Sequence, residues 1–128
     1  MYIVRYYHTI EANHRLSLPK AFREHTTNWI LTRGLDGGLF GFAAETFEQK
    51  LAELRERTFT VKQHRDFVRL MTNDAVAVES DQNGRVQLPE YLMDFAHLTK
   101  DVVVVGSYSW IEIWDVPAYH SYIDQLED

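Results

Sequence analysis

Two stretches of this chain repeat one another, and a repeat restricts the fold before any other feature does. Ile10-Glu11-Ala12-Asn13-His14-Arg15-Leu16-Ser17-Leu18-Pro19 is echoed by Ser80-Asp81-Gln82-Asn83-Gly84-Arg85-Val86-Gln87-Leu88-Pro89. Acid, arginine, leucine and proline coincide at a single offset. Beyond the motif Phe22 faces Leu92. After a two-residue insertion, residues 30–34 match 102–106, residues 39–42 match 111–114, and Phe47 matches Tyr119. The chain reads as two copies of one unit. Each copy is strand, tight turn, strand, short helix, strand, turn, strand, helix.

The chain has 128 residues. Half of that length buries too little surface to be comfortable alone, so the copies are expected to share one core. There are no cysteines, which excludes disulfides and thiolate metal sites and favours a reducing compartment. Residues 1–15 alternate and carry Arg5. No signal peptide or spanning helix is read there, and the expected location is cytoplasmic.

The net charge of −6 is unevenly spread. Residues 1–76 carry 11 basic and 9 acidic side chains, whereas residues 77–128 carry 2 and 10. A polyanion would meet the first copy rather than the whole surface.

Residues 2–10 are β-branched and aromatic, a strand that enters the Glu11 turn. Asn13 tolerates the positive φ that tight turns need, and Asn83-Gly84 is the stronger hairpin signal of the two turns. Pro19 and Pro89 each precede a short helix. Phe47, Leu51 and Leu54 mark an amphipathic helix over 43–56, and Phe67, Leu70 and Met71 a second one over 63–72. Tyr119, Tyr122, Ile123 and Leu126 mark the last helix. The expected division is a first unit over 1–56, a helical connector over 57–74 and a second unit over 75–128.

In each turn a carboxylate–guanidinium pair can close the hairpin. That reading is favoured for Asp81 and Arg85. In the first turn Asn13 and His14 add hydrogen-bonding side chains, and the flanks are basic. A two-stranded ribbon fits the major groove, where arginine pairs bidentately with guanine, so a DNA role is favoured for Arg15. Trp29, Trp110, Trp114, Tyr119 and Tyr122 could stack on bases, but core packing is the favoured reading. The six histidines show no metal-ligand spacing, and no nucleophile elbow, phosphate loop or metalloprotease signature appears. No metal, no cofactor and no enzyme activity are expected. Arg65 and Arg69 are like charges one helical turn apart, for which partners on a neighbouring subunit are the expectation.

These residues resemble the MraZ family of bacterial transcriptional regulators. The carrying stretches are Arg15-Leu-Ser-Leu-Pro19-Lys-Ala-Phe-Arg23, Leu31-Thr-Arg-Gly-Leu-Asp36, Asp81-Gln-Asn-Gly-Arg85-Val-Gln-Leu-Pro89, Val103-Val-Val-Gly106 and Glu112-Ile-Trp-Asp115. The resemblance implies an α+β, mainly β fold. Two pseudo-symmetric swapped-hairpin units of AbrB/SpoVT type would share one barrel-like core, with helices at the periphery.

It also implies a ring of many subunits that binds short G-rich direct repeats in double-stranded DNA. The target would be the division and cell wall operon that includes the protein's own gene, mainly for repression, with association to the nucleoid. The DNA-contacting turn would be Glu11 to Arg15. Arg15 would read guanine, Asn13 and His14 would contact base edges or backbone, and Arg5, Lys20 and Arg23 would position phosphates. Glu11, Asp81 and Arg85 would stabilise the turns. No membrane or small-molecule partner is expected. The first turn departs from the usual Asp-x-Lys-Gly-Arg: Glu11 stands for Asp, Asn13 for Lys and His14 for Gly. The missing lysine removes a phosphate contact. The competing reading is a ring-forming scaffold or an antitoxin-like protein that binds a partner other than DNA.

Overall fold

The computed structural model describes residues 1–58 and 60–127, residues 55–58 by their backbone. The first copy runs β1 (Arg5–Thr9), a tight turn over Ala12–His14, β2 (Arg15–Ser17), α1 (Lys20–Arg23), β3 (Asn28–Arg33), β4 (Leu39–Ala43) and α2 (Ala44–Thr58). α3 (Lys62–Asn73) leads into the second copy: β5 (Val76–Glu79), β6 (Arg85–Gln87), α4 (Glu90–Phe95), β7 (Asp101–Gly106), β8 (Ile111–Asp115) and α5 (Val116–Glu127).

Among the described residues the strands form one six-stranded antiparallel sheet, ordered β1-β7-β8-β4-β3-β5, and a separate ribbon of β2 and β6. β1 of the first copy pairs with β7 of the second, and β5 of the second with β3 of the first. The ribbon is also built across the copies. The sheet does not close by a ladder of its own, since β1 and β5 are its edges. The two tight turns carry those edge strands into the ribbon.

The registers are pseudo-twofold. Leu16 faces Val86 at the centre of the ribbon, flanked by Arg15 opposite Gln87 and Ser17 opposite Arg85. Phe40 faces Glu112 at the centre of the sheet, flanked by Leu39 opposite Ile113 and Gly41 opposite Ile111.

The structure corrects one alignment. Thr9 faces Asp101 and Glu79 faces Asn28, so Asn28 corresponds to Asp101 and Trp29, not Ile30, to Val102. The insertion before β7 is three residues. One residue is then recovered in the loop before β4, which is longer than its counterpart before β8. Gly34 and Gly106 are therefore not equivalent and do different work. Gly34 donates its N–H to the Gly38 carbonyl inside the loop. Gly106 lies in β7, where a Cβ would collide with the backbone of Ile3.

The core belongs to both copies. Leu16, Leu18 and Phe22 meet Val86, Leu88 and Leu92, with Trp29, Leu31, Val102, Val104, Ile111 and Ile113 in the same cluster. Each such side chain contributes about 1.5–3 kcal/mol on burial. Phe42, Phe47 and Met71 form a second cluster under α2 and α3. There the buried Thr32 hydroxyl donates to the Met71 carbonyl at 2.9 Å. Trp29 and Trp114 are buried, and Tyr119 and Tyr122 pack on Trp114. Trp29 thus sits in the shared core and Trp110 packs against the second cluster, whereas Trp114 with Tyr119 and Tyr122 forms a stack outside both clusters. The class is mixed α and β, but not mainly β. Among the described residues no strand exceeds six residues, whereas α2, α3 and α5 span 15, 12 and 12.

Candidate nucleic-acid interface

The two acidic-x3-Arg turns flank the ribbon and share one backbone plan. The N–H of the acid donates to the arginine carbonyl, Glu11 to Arg15 at 2.7 Å and Asp81 to Arg85 at 2.9 Å. Each turn also receives a bond from the other copy: Leu18 donates to Gly84 at 3.0 Å, and Leu88 donates to His14 at 2.9 Å. Gly84 has φ +75° and His14, its equivalent, φ +59°. Asn13 is left-handed as well, at φ +63°. His14 thus keeps glycine's conformation without glycine's freedom, which costs an L-residue about 1–2 kcal/mol.

Side chains break the symmetry. In the second turn Asp81 Oδ1 accepts the N–H groups of Asn83 (2.8 Å) and Arg85 (3.0 Å), while Oδ2 accepts from Arg85 Nε at 3.1 Å. Arg85 Nη1 donates to Glu11 Oε2 at 3.3 Å. The Arg85 backbone N–H, before its guanidinium, holds the Asp81 carboxyl below its ordinary range. Glu11, then Asp81, raises the Arg85 guanidinium further. Arg23 reaches across from α1 and donates from Nη1 to the Asn83 carbonyl at 2.6 Å. It lies over Gly84, where a Cβ would collide with its Cδ and Nη1.

The first turn is open. Asn13, His14 and Arg15 are exposed, and the Arg15 guanidinium has no hydrogen-bond or ion-pair partner among the described residues. Lys20 is exposed at the start of α1. Glu11, expected to brace its own turn, does so only through its backbone. Its carboxylate goes to Arg85 of the other copy. Arg5 lies at the far end of β1, about 20 Å of extended chain from the turn, with its guanidinium 5.9 Å from the centre of the Tyr119 ring.

Gln87 was missed from sequence. It faces Arg15 across the ribbon and donates to the Asn13 carbonyl at 3.2 Å. Its position in the repeat matches Ser17, so only the cross-copy ladder reveals the contact. Gln87 also lines a cleft of about 430 Å³ beside His14, with Glu79 and Glu90. On α3, Asp66 accepts from Lys62 (2.6 Å) and Arg69 (2.9 Å). Arg69 therefore has a partner on its own helix. No described helix is long and apolar enough to cross a membrane. Among the described residues no group of three histidines and carboxylates is placed to hold a metal ion.

The chain matches the family described as "MraZ protein, putative antitoxin-like" in two segments, residues 1–70 and 71–128. It is 38% identical over 123 residues to the protein named transcriptional regulator MraZ from Acetivibrio thermocellus, spanning 95% of this chain and 86% of that one. The chain belongs to the MraZ family.

Proposed function

We propose that this MraZ-family chain is a non-enzymatic, sequence-specific transcriptional regulator that inserts its first turn into the major groove of double-stranded DNA. The carrying observation is the exposed Arg15 with no partner among the described residues, on a two-stranded ribbon of the kind a major groove admits. The relative named a transcriptional regulator supports the same class. Arg15 reads guanine, and Asn13 and His14 contact base edges or backbone beside it. Lys20 positions a phosphate, a contact that carries no sequence information itself. Arg23 can do so with the N–H groups not bonded to Asn83. Arg5 is far enough away that it serves only a phosphate outside the site read by Arg15.

The target is a set of short G-rich direct repeats upstream of the division and cell wall operon, including the protein's own gene, with repression as the main outcome. One turn makes a small footprint. A ring of subunits that engages several repeats gains by effective concentration, and exposed Met1, Ile3, Val4 and Tyr108 offer apolar surface for such assembly. Residues 1–56 form the DNA-facing unit, 57–74 the connector and 75–128 the second unit. The exchange of β1 and β5 between copies is the pairing expected of swapped hairpins. The working location is the cytoplasm, at the nucleoid.

Arg15→Ala should cost about 1–3 kcal/mol of binding per occupied site. Arg15→Lys should keep the salt-dependent attraction and lose base preference, because lysine lacks the bidentate fork. A folded Arg15→Ala protein with unchanged affinity would remove the assignment. The net charge of −6 favours a second reading, a ring-forming scaffold or antitoxin-like partner binder. Binding to DNA that falls steeply with salt speaks against it.

A further inference from the structure

The two turns are alike in backbone and unlike in charge. In a symmetric pair each acid would hold its own arginine, or each would hold the other's. Instead both carboxylates converge on one guanidinium: Asp81 on Arg85 Nε at 3.1 Å and Glu11 on Arg85 Nη1 at 3.3 Å. Arg15, the equivalent of Arg85 in the repeat, receives neither.

The extra methylene of Glu11 accounts for the difference. Asp81 is short enough to fold back onto the N–H groups of its own turn, at Asn83 and Arg85. Glu11 makes no such bond among the described residues and extends to the other copy. Arg23, whose own equivalent is Met93, adds a further tie by binding the Asn83 carbonyl. The Arg85 side chain is left 28% exposed, while the Arg15 residue is exposed.

We propose that Glu11 is a specificity-determining residue that acts through Arg85: by binding it, Glu11 masks the second arginine and leaves Arg15 as the single base-reading arginine of the two-turn head. This rests on the DNA-binding reading above. Release of Arg85 Nη1 would give the head a second arginine fork for a guanine next to the one read by Arg15.

Fluorescence anisotropy with the full chain tests this, using a duplex from upstream of its own gene, a scrambled duplex of equal composition and a panel of single-base substitutions. Thermal unfolding confirms that each variant is folded. In the wild type, discriminated positions should depend on Arg15 and be indifferent to Arg85→Lys. Glu11→Gln should add at least one new discriminated position, worth about fivefold or more against other bases. Glu11→Gln with Arg85→Lys should lose that new position while keeping the charge.

Three outcomes overturn the proposal. Glu11→Gln could strengthen binding equally to all duplexes, which is the effect of removing a negative charge alone. The new position could survive Arg85→Lys. Or Arg85→Lys could abolish discrimination in the wild type, which makes Arg85 a reader already. Failure of the underlying reading looks different: the wild type would bind the upstream and scrambled duplexes alike, and Arg15→Lys would change nothing.

Discussion

Position 14 shows how one side chain records a conflict between local backbone and some other demand. The turn requires a left-handed residue there, as Gly84 shows in the other copy, yet His14 supplies it at φ +59°. His14→Gly should therefore stabilise the fold, by about 0.5–1 kcal/mol after the entropic cost of glycine is set against the relieved strain. Gly84→Ala should destabilise it, because position 84 combines φ +75° with the Arg23 side chain against its Cα. Urea unfolding of both variants checks the two signs.

Asp81 gives a third expectation at this scale. Its folded-state carboxyl titrates below the ordinary value, chiefly through the Arg85 backbone N–H. The unfolded chain takes up that proton near pH 3.9 while the folded chain still resists it. The stability involved is therefore present above that pH and lost as pH falls through the lowered folded value. Asp66, held down by Lys62 and Arg69, acts in the same direction. Asp81→Asn should flatten part of the loss of stability on acidification below about pH 4, read from urea midpoints across the acid range.

Elements explain what the sequence could reveal and what it could not. The turns, the short helices after Pro19 and Pro89 and the amphipathic helices were legible because each has a local signature. So was the sharing of one core, from the size of the copies. Ladder partners were not legible. β1 carries no mark that says it pairs with β7 rather than with its neighbour β2, because antiparallel pairing between distant segments leaves no local pattern. The offset between β3 and β7 is one residue greater than the repeat in sequence suggests, and the ladder partners Thr9–Asp101 and Asn28–Glu79 are what fix it.

At the candidate site, the motif marked the turn on which Arg15 is exposed. The Glu11–Arg85 bridge could not be read from the motif, since it depends on how far a glutamate reaches once two turns lie side by side. The ribbon itself is testable. Leu16 is fully buried and faces Val86 at the pseudo-twofold centre, so Leu16→Ala should cost about 2–5 kcal/mol, measured by urea unfolding.

The molecule is built as one folding unit of two similar halves, because among the described residues β1 and β5 find their ladder partners in the other copy. Fragments 1–74 and 75–128 should each lack a cooperative thermal transition alone and regain one when mixed. A monomeric fragment that unfolds cooperatively by itself would contradict the shared core.

The two turns share one backbone plan and differ in what holds them. One is tied down by carboxylates and Arg23, and the other is left open toward solvent. The open turn is the one we propose to read DNA. The first measurement is binding of the purified wild-type protein to the duplex upstream of its own gene and to a scrambled duplex, at two salt concentrations, beside Arg15→Ala. Preferential binding that weakens with salt and is lost in the variant is the predicted result. Equal, weak binding to both duplexes, unchanged by the substitution, would contradict it and bring the scaffold reading forward.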